Sequence, residues 1–157
     1  MHFALVDRVV EVDDERIIAL KAVSSAEEYL RDHFPTFPVL PGVLMIETLV
    51  QAARALVEHR RASRGDVEGD RFVLGEVRAL KFASFIRPGQ TLRVEVSLVS
   101  RDDDGSYRFK GSGRRVSADS KEDDGPTTVS GRFSLRPVRL PPPTNALSGT
   151  PGGDPTG

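Results

Sequence analysis

The feature that most limits how this chain can fold is a helix with too few polar positions. From Gly42 to about Arg61 the apolar residues lie nearly all round: Val43, Leu44, Ile46, Leu49, Val50, Ala52, Ala53, Ala55, Leu56 and Val57. A helix laid on a surface buries one stripe, whereas one that is apolar on most sides has to be enclosed. The rest of the chain offers mainly strands for that purpose. The expected architecture is therefore α+β, a curved antiparallel β-sheet wrapped around one long central helix. Edge strands left over after wrapping favour pairing with a second copy. The few polar residues of the helix keep order: Glu47, Gln51, Arg54 and Glu58 are spaced four, three and four apart and share one narrow stripe.

Strand signals lie on both sides of the helix. Residues 3–12 and 16–24 alternate β-branched and polar positions around Asp13-Asp14-Glu15, which reads as a hairpin. A short helix is expected over Ser25–Arg31, with Ser25 as its cap and Glu27 and Glu28 at its positive end. Strands are expected at about 72–82, 91–101, 106–118 and 127–136. Arg87-Pro88-Gly89, Asp103-Asp104-Gly105 and Asp123-Asp124-Gly125-Pro126 punctuate them. Beyond Arg136 the chain turns to proline, glycine, serine and threonine, too little to bury. The expected division is one domain over 1–136 and a disordered tail over 137–157.

Composition narrows the chemistry. The chain has 157 residues, 38% hydrophobic and 29% charged, the balance of a single soluble globule with a real core. A net charge of −1 gives no footprint of a nucleic-acid binder. No apolar stretch approaches the roughly 20 residues that span a bilayer. The N-terminus meets Asp7 and Arg8 too soon for a signal peptide, so a cytoplasmic protein is expected. Zero cysteines exclude disulfides, thiolate metal sites and a cysteine nucleophile. The three histidines, His2, His33 and His59, include no pair at helical ligand spacing, so no metal site is expected.

The chemistry-bearing segment runs from His33 to Glu47. Pro35, Pro38 and Pro41 recur every third residue, and each fixes its own φ and pushes its predecessor toward extended geometry. A stiff, polyproline-like strip is expected, ending where Pro41 starts the long helix. A histidine stands at one end of that strip and a carboxylate interrupts the apolar helix at the other. An imidazole and a carboxyl on rigid backbone are the usual equipment for moving protons. Read singly, His33 is a surface histidine and Glu47 a solvated helix residue. Read together, with Pro41-Gly42 between them, they form a candidate catalytic pair.

These residues resemble a family, the beta-hydroxyacyl-[acyl carrier protein] dehydratases of the hot dog fold, the FabA/FabZ-type enzymes of fatty acid synthesis. Leu5-Val6-Asp7-Arg8-Val9 resembles the family's opening strand. His33-Phe34-Pro35, Pro38-Val39, Pro41-Gly42-Val43-Leu44 and Glu47 with Gln51 fit its active-site signature, and Lys81-Phe82 with Pro88-Gly89 resembles its next strand and turn. The resemblance implies a homodimer whose active sites each combine the histidine of one subunit with the acid of the other. It implies that His33 removes the α-proton of a beta-hydroxyacyl thioester and Glu47 protonates the departing hydroxyl, leaving a trans-2-enoyl thioester. The Gly42 N–H, at a helix N-terminus, would stabilise the enolate-like charge. The backbone carbonyl of Val39 would orient the histidine, and Gln51 would help with positioning. No cofactor is implied, and the implied partner is an acyl carrier protein.

The sequence departs from the family where Thr36 stands in place of a common glycine, Arg54 in place of a small residue and Gln90 in place of a frequent aspartate, and its segment before the first strand is shorter than usual. Arg54 either pairs with Glu58 or narrows or recharges an acyl channel. Arg60, Arg61 and Arg64 read as an ordinary solvated loop, with contact to an acidic carrier as the alternative. Two other functions share the pattern: a CoA-thioester hydratase or thioesterase of the same fold, and a non-catalytic hot dog partner subunit.

Overall fold

The computed structural model describes residues 3–66, 71–117 and 125–138. Six strands and one long helix follow in the order β1 (Arg8–Val12), β2 (Arg16–Ala22), a 3-10 turn (Glu28–Arg31), α1 (Gly42–Ser63), β3 (Arg71–Phe82), β4 (Gln90–Arg101), β5 (Tyr107–Ser117) and β6 (Thr127–Val138). The strands form one antiparallel sheet in the order β1-β2-β4-β5-β6-β3. The helix lies against β2 and β4 and also meets β5, β6 and β3. This is the wrapped arrangement expected of a helix apolar on most sides, and its buried residues, from Met45 through Val57, occupy most of its circumference.

Local chemistry explains the elements. The first hairpin turns at Asp13, whose Oδ1 accepts the amides of Glu15 and Arg16, both at 2.7 Å. In β4 every second residue from Leu92 to Val96 is buried, and the β2 and β5 neighbours supply Ile17, Ala19 and Phe109 to the same core. The sheet approaches the helix closely at Gly111, where a methyl group would stand 3.1 Å from both a Leu49 methyl and the Phe133 ring. Absence of a side chain there lets β5 close over α1. The helix stops where Gly65, with φ +74°, takes the left-handed geometry that glycine tolerates.

Several boundaries differ from those expected. The first strand begins at Arg8, because Phe3 and Leu5 are held by Gln51 of the helix and the chain meets β2 only from Asp7, whose amide donates to the Leu20 carbonyl at 2.9 Å. The short helix shrinks to a 3-10 turn, and Ser25 does not cap it. Glu27 stands at its N-cap with no side-chain cap bond, and Ser24 closes the turn ahead of it, its Oγ and carbonyl accepting from Ala26 and Glu27. The last strand runs two residues past Arg136, with Pro137 opposite Phe72 beside the edge strand. Residues 139–157, most of the expected tail, lie outside the described residues, as does the Asp123-Asp124 part of the last turn signal.

The proline strip also departs from expectation. It does not run extended. Phe34 and Phe37 exchange backbone hydrogen bonds at 3.2 and 3.0 Å around Pro35-Thr36, closing a tight turn. Proline at the second position of a turn has its φ already set, so a strip of spaced prolines suits a turn as well as an extended rod. After the turn, the Val39 amide donates to the His33 carbonyl at 3.0 Å and the Leu40 amide to the Ile86 carbonyl at 2.8 Å.

Candidate active site

That turn folds the segment back and gives His33 its environment. The half-buried ring places Nδ1 3.1 Å from the Val39 carbonyl and stacks on Phe34 with ring centroids 4.4 Å apart. A carbonyl only accepts, so Nδ1 carries the proton of the neutral ring and Nε2 keeps its lone pair. The peptide between His33 and Phe34 is cis. The residues before His33 are anchored by a buried network. Lys21 Nζ meets Glu27 Oε1 at 2.9 Å, the Tyr29 hydroxyl donates to Glu27 Oε2, and the Tyr29 carbonyl accepts the His33 amide at 3.2 Å. Burial pushes the Glu27 carboxyl up, but the hydrogen bonds from Tyr29, Lys21 and the Ser24 amide outweigh it and hold it below the ordinary carboxylate range. Burial first, then the bond to Glu27, pushes the Tyr29 hydroxyl upward.

Glu47 sits one and a half turns into α1, its side chain 30% exposed. Gln51 Nε2 donates to Glu47 Oε1 at 3.0 Å and Arg54 Nη1 reaches the same oxygen at 3.3 Å. Oε2 takes no hydrogen bond from the described residues. Gln51 serves a second purpose: its Oε1 accepts the Leu5 amide at 2.7 Å and its Nε2 also donates to the Phe3 carbonyl at 3.2 Å. Arg54 completes the arrangement by donating from Nε to the Phe72 carbonyl at 3.0 Å. Of the two alternatives for Arg54, pairing with Glu58 is replaced by pairing with Glu47. Helical side chains lean toward the N-terminus, which carries an arginine seven residues on back to the carboxylate.

Gly42 opens α1 after Pro41, and a methyl group there would lie 2.9 Å from the Phe82 ring. The ring of Phe82, half exposed at the end of β3, thus covers the helix start. Phe82 stood in the sequence only as part of a strand; its contact with Gly42 needed the sheet order to find. The predicted residues form two groups within one chain, His33 with Val39 and Glu47 with Gln51. No hydrogen bond or ion pair among the described residues joins them.

The arginines at the end of the helix are engaged within the chain, and Arg60 and Arg61 belong to its last turn instead of the expected loop, because the helix continues to Ser63. Arg60 donates to the Asp14 carbonyl at 2.6 Å, Arg61 to Asp66 at 3.0 Å, and Arg64 lies 3.8 Å from Asp14. Beside the His33 turn, a cleft of about 530 Å³ has Arg31, Pro35, Pro38 and Arg87 in its walls. Arg87 also lies over the Phe37 ring at 5.2 Å. Gln90 braces that wall, its Oε1 accepting the Arg87 amide at 2.8 Å.

A single helix enclosed by an antiparallel sheet of this order is a hot dog fold, and solved structures share it. The dehydratase heterocomplex ApeI:P from Xenorhabdus doucetiae superposes with a TM-score of 0.65 at 20% identity, covering 87% of this chain and 84% of that one. A hypothetical thioesterase protein with coenzyme A from Streptococcus pneumoniae does so at 0.57 and 10% identity, over 88% and 97%. The chain belongs to the FabA-like family, whose domain matches residues 1–119. Its sequence is 36% identical over 111 residues to the 3-hydroxyacyl-[acyl-carrier-protein] dehydratase FabZ of Anoxybacillus flavithermus, covering 70% of each chain. It is 36% identical over 99 residues to that of Solibacter usitatus, 63% of this chain. The match spans 59% of the Solibacter relative's length. No helix among the described residues is long and apolar enough to cross a membrane.

Proposed function

We propose that this protein is a cytoplasmic dehydratase that converts a beta-hydroxyacyl thioester on acyl carrier protein to the trans-2-enoyl thioester, in fatty acid or related lipid synthesis. The observation that carries the reading is the His33 ring, tied through Nδ1 to the Val39 carbonyl with Nε2 left as a base. In this reading Nε2 takes the α-proton, and the C–H electron pair becomes the new double bond. The C–O bond breaks as Glu47 delivers a proton to the departing hydroxyl from Oε2, the oxygen its helix neighbours leave alone. Water leaves, and His33 and Glu47 recover their starting states by proton exchange with solvent. The Gly42 N–H at the head of α1 suits the negative charge that gathers on the thioester oxygen. Gln51 and Arg54 hold the carboxyl group through Oε1, and the proton it delivers sits on Oε2.

The pair works across a homodimer. His33 and Glu47 have separate partners in one chain, and β3 is an edge strand exposed along most of its length, with Leu74, Val77 and Phe82 uncovered. Pairing two such edges would protect both and bring one chain's His33 toward the other's Glu47. The cations that would face an acidic carrier protein are Arg31 and Arg87 at the cleft, since Arg60, Arg61 and Arg64 have partners of their own.

Crotonyl thioesters on acyl carrier protein and on CoA test the reading through loss of the conjugated enoyl absorbance. The dehydratase reading predicts reversible hydration on the carrier protein with little on CoA. Preference for CoA, or release of free thiol, selects the hydratase or thioesterase instead. No reaction on either would make the protein a binding subunit.

A further inference from the structure

The long helix and the edge strand run past each other in opposite directions. Gly42 lies against Phe82 at one end, and Arg54 bonds the Phe72 carbonyl at the other. The strip between them begins apolar, with Val43, Val77 and Phe82 all exposed. It then meets Glu47 and closes on charge. The Cα atoms of Glu47 and Arg54 are seven residues apart, about 10 Å along the helix. Arg54 leans back over that distance until Nη1 is 3.3 Å from Glu47 Oε1, while Nε stays fixed to the strand at 3.0 Å. The guanidinium therefore bridges helix and strand immediately behind the carboxylate. Gln51, tied to Phe3 and Leu5, fills the side of the same stripe that faces the N-terminal segment.

We infer that Arg54 is a specificity residue, closing the strip behind Glu47 and restricting the acyl group to short chains of the four-carbon class. The inference rests on the proposed reading for the direction in which the acyl chain enters, with its thioester near Gly42 and its tail pointing past Glu47. A longer hydrocarbon tail on that path would have to strip Arg54 of both partners and leave a guanidinium and the Glu47 carboxyl group against methylenes. Those losses offset what burying the extra carbons gains.

The test compares 3-hydroxybutyryl and 3-hydroxydecanoyl thioesters of acyl carrier protein with the full-length wild type, Arg54→Ala and Arg54→Met. The methionine variant keeps the stem's bulk without its charge and serves if the alanine variant fails to fold. The wild type should favour the four-carbon substrate in kcat/KM by about tenfold or more, and at least one variant should narrow that ratio by about tenfold. Equal use of both lengths by the wild type, or a ratio unmoved in every folded variant, overturns the inference. Calorimetric binding of S-butyl and S-decyl pantetheine thioethers reads the strip without turnover. Absence of reaction on either length, together with a binding preference that shifts with position 54, would refute the dehydratase reading and uphold the closure. Absence of reaction with no such shift would refute both.

Discussion

At the scale of single residues, two carbonyl contacts do most of the positioning. Val39 fixes the His33 tautomer, and Phe72 fixes the arginine that holds Glu47. If proton transfer runs through the pair, His33→Ala and Glu47→Gln should each lower kcat by about 10³-fold. Both side chains are partly exposed, so the thermal midpoint should move little; a collapse of folding would make them structural instead. Gly42→Ala makes a separate point. The added methyl meets the Phe82 ring at 2.9 Å, so the variant should lose activity by about tenfold and Phe82→Ala in the same chain should restore part of it. A double variant no better than the single one would mean that crowding is not the cause. His33, Gly42 and Glu47 were legible as candidates because their spacing fits a family signature. The partner of Arg54 was not, since Glu47 and Glu58 are both within helical reach of position 54 and only the Phe72 carbonyl decides between them.

At the scale of elements, the helix and its enclosure followed from polarity alone, whereas the prolines misled. Spacing of three favours an extended rod, yet Pro35 starts a turn equally well, and the reciprocal bonds of Phe34 and Phe37 select the turn. The expected serine cap is absent for a similar reason: Ser24 closes the turn ahead of the 3-10 segment, its Oγ accepting from Ala26 while its own amide donates to Glu27 Oε1 at 3.0 Å. This Glu27 network anchors the approach to His33 and makes a pH-dependent prediction. Because the Glu27 carboxyl is depressed in the folded protein, its stabilisation is complete above 4.5, the ordinary glutamate value, and disappears as pH falls through the lowered one. Thermal melts into acid should show that loss, and Glu27→Gln should flatten its contribution. At neutral pH the same variant removes the counter-charge from buried Lys21, which keeps the Ala22 carbonyl at 2.9 Å, and should cost about 3 kcal/mol. Unchanged melts would remove the network from the account. In the sheet, Gly111→Val should cost about 2 kcal/mol in denaturant unfolding, since Leu49 and Phe133 leave no room for it.

At the scale of the whole molecule, strand positions were readable but their order was not. Periodicity locates strands, and the Asp103-Asp104-Gly105 signal marks a true hairpin between β4 and β5. Arg87-Pro88-Gly89 marks a crossover instead: β3 leaves for the far edge beside β6, and β4 pairs with β2. Nothing local in the sequence separates a hairpin turn from a crossover turn, because the choice depends on which partner completes the cover over α1. That crossover leaves β3 uncovered on one side and places Phe82 over Gly42. The candidate site and the open edge are thus products of one topological choice, which is why the proposed site takes in a second copy.

Subunit exchange between two inactive variants tests that shared site most directly. His33→Ala and Glu47→Gln chains, each expected to be inactive alone, are unfolded together in equal amounts, refolded and assayed. A site built from His33 of one subunit and Glu47 of the other gives each mixed dimer one intact site, so activity should return to about a quarter of wild type. A site contained within one chain would leave every dimer inactive, and a mixture as dead as its components would contradict the account.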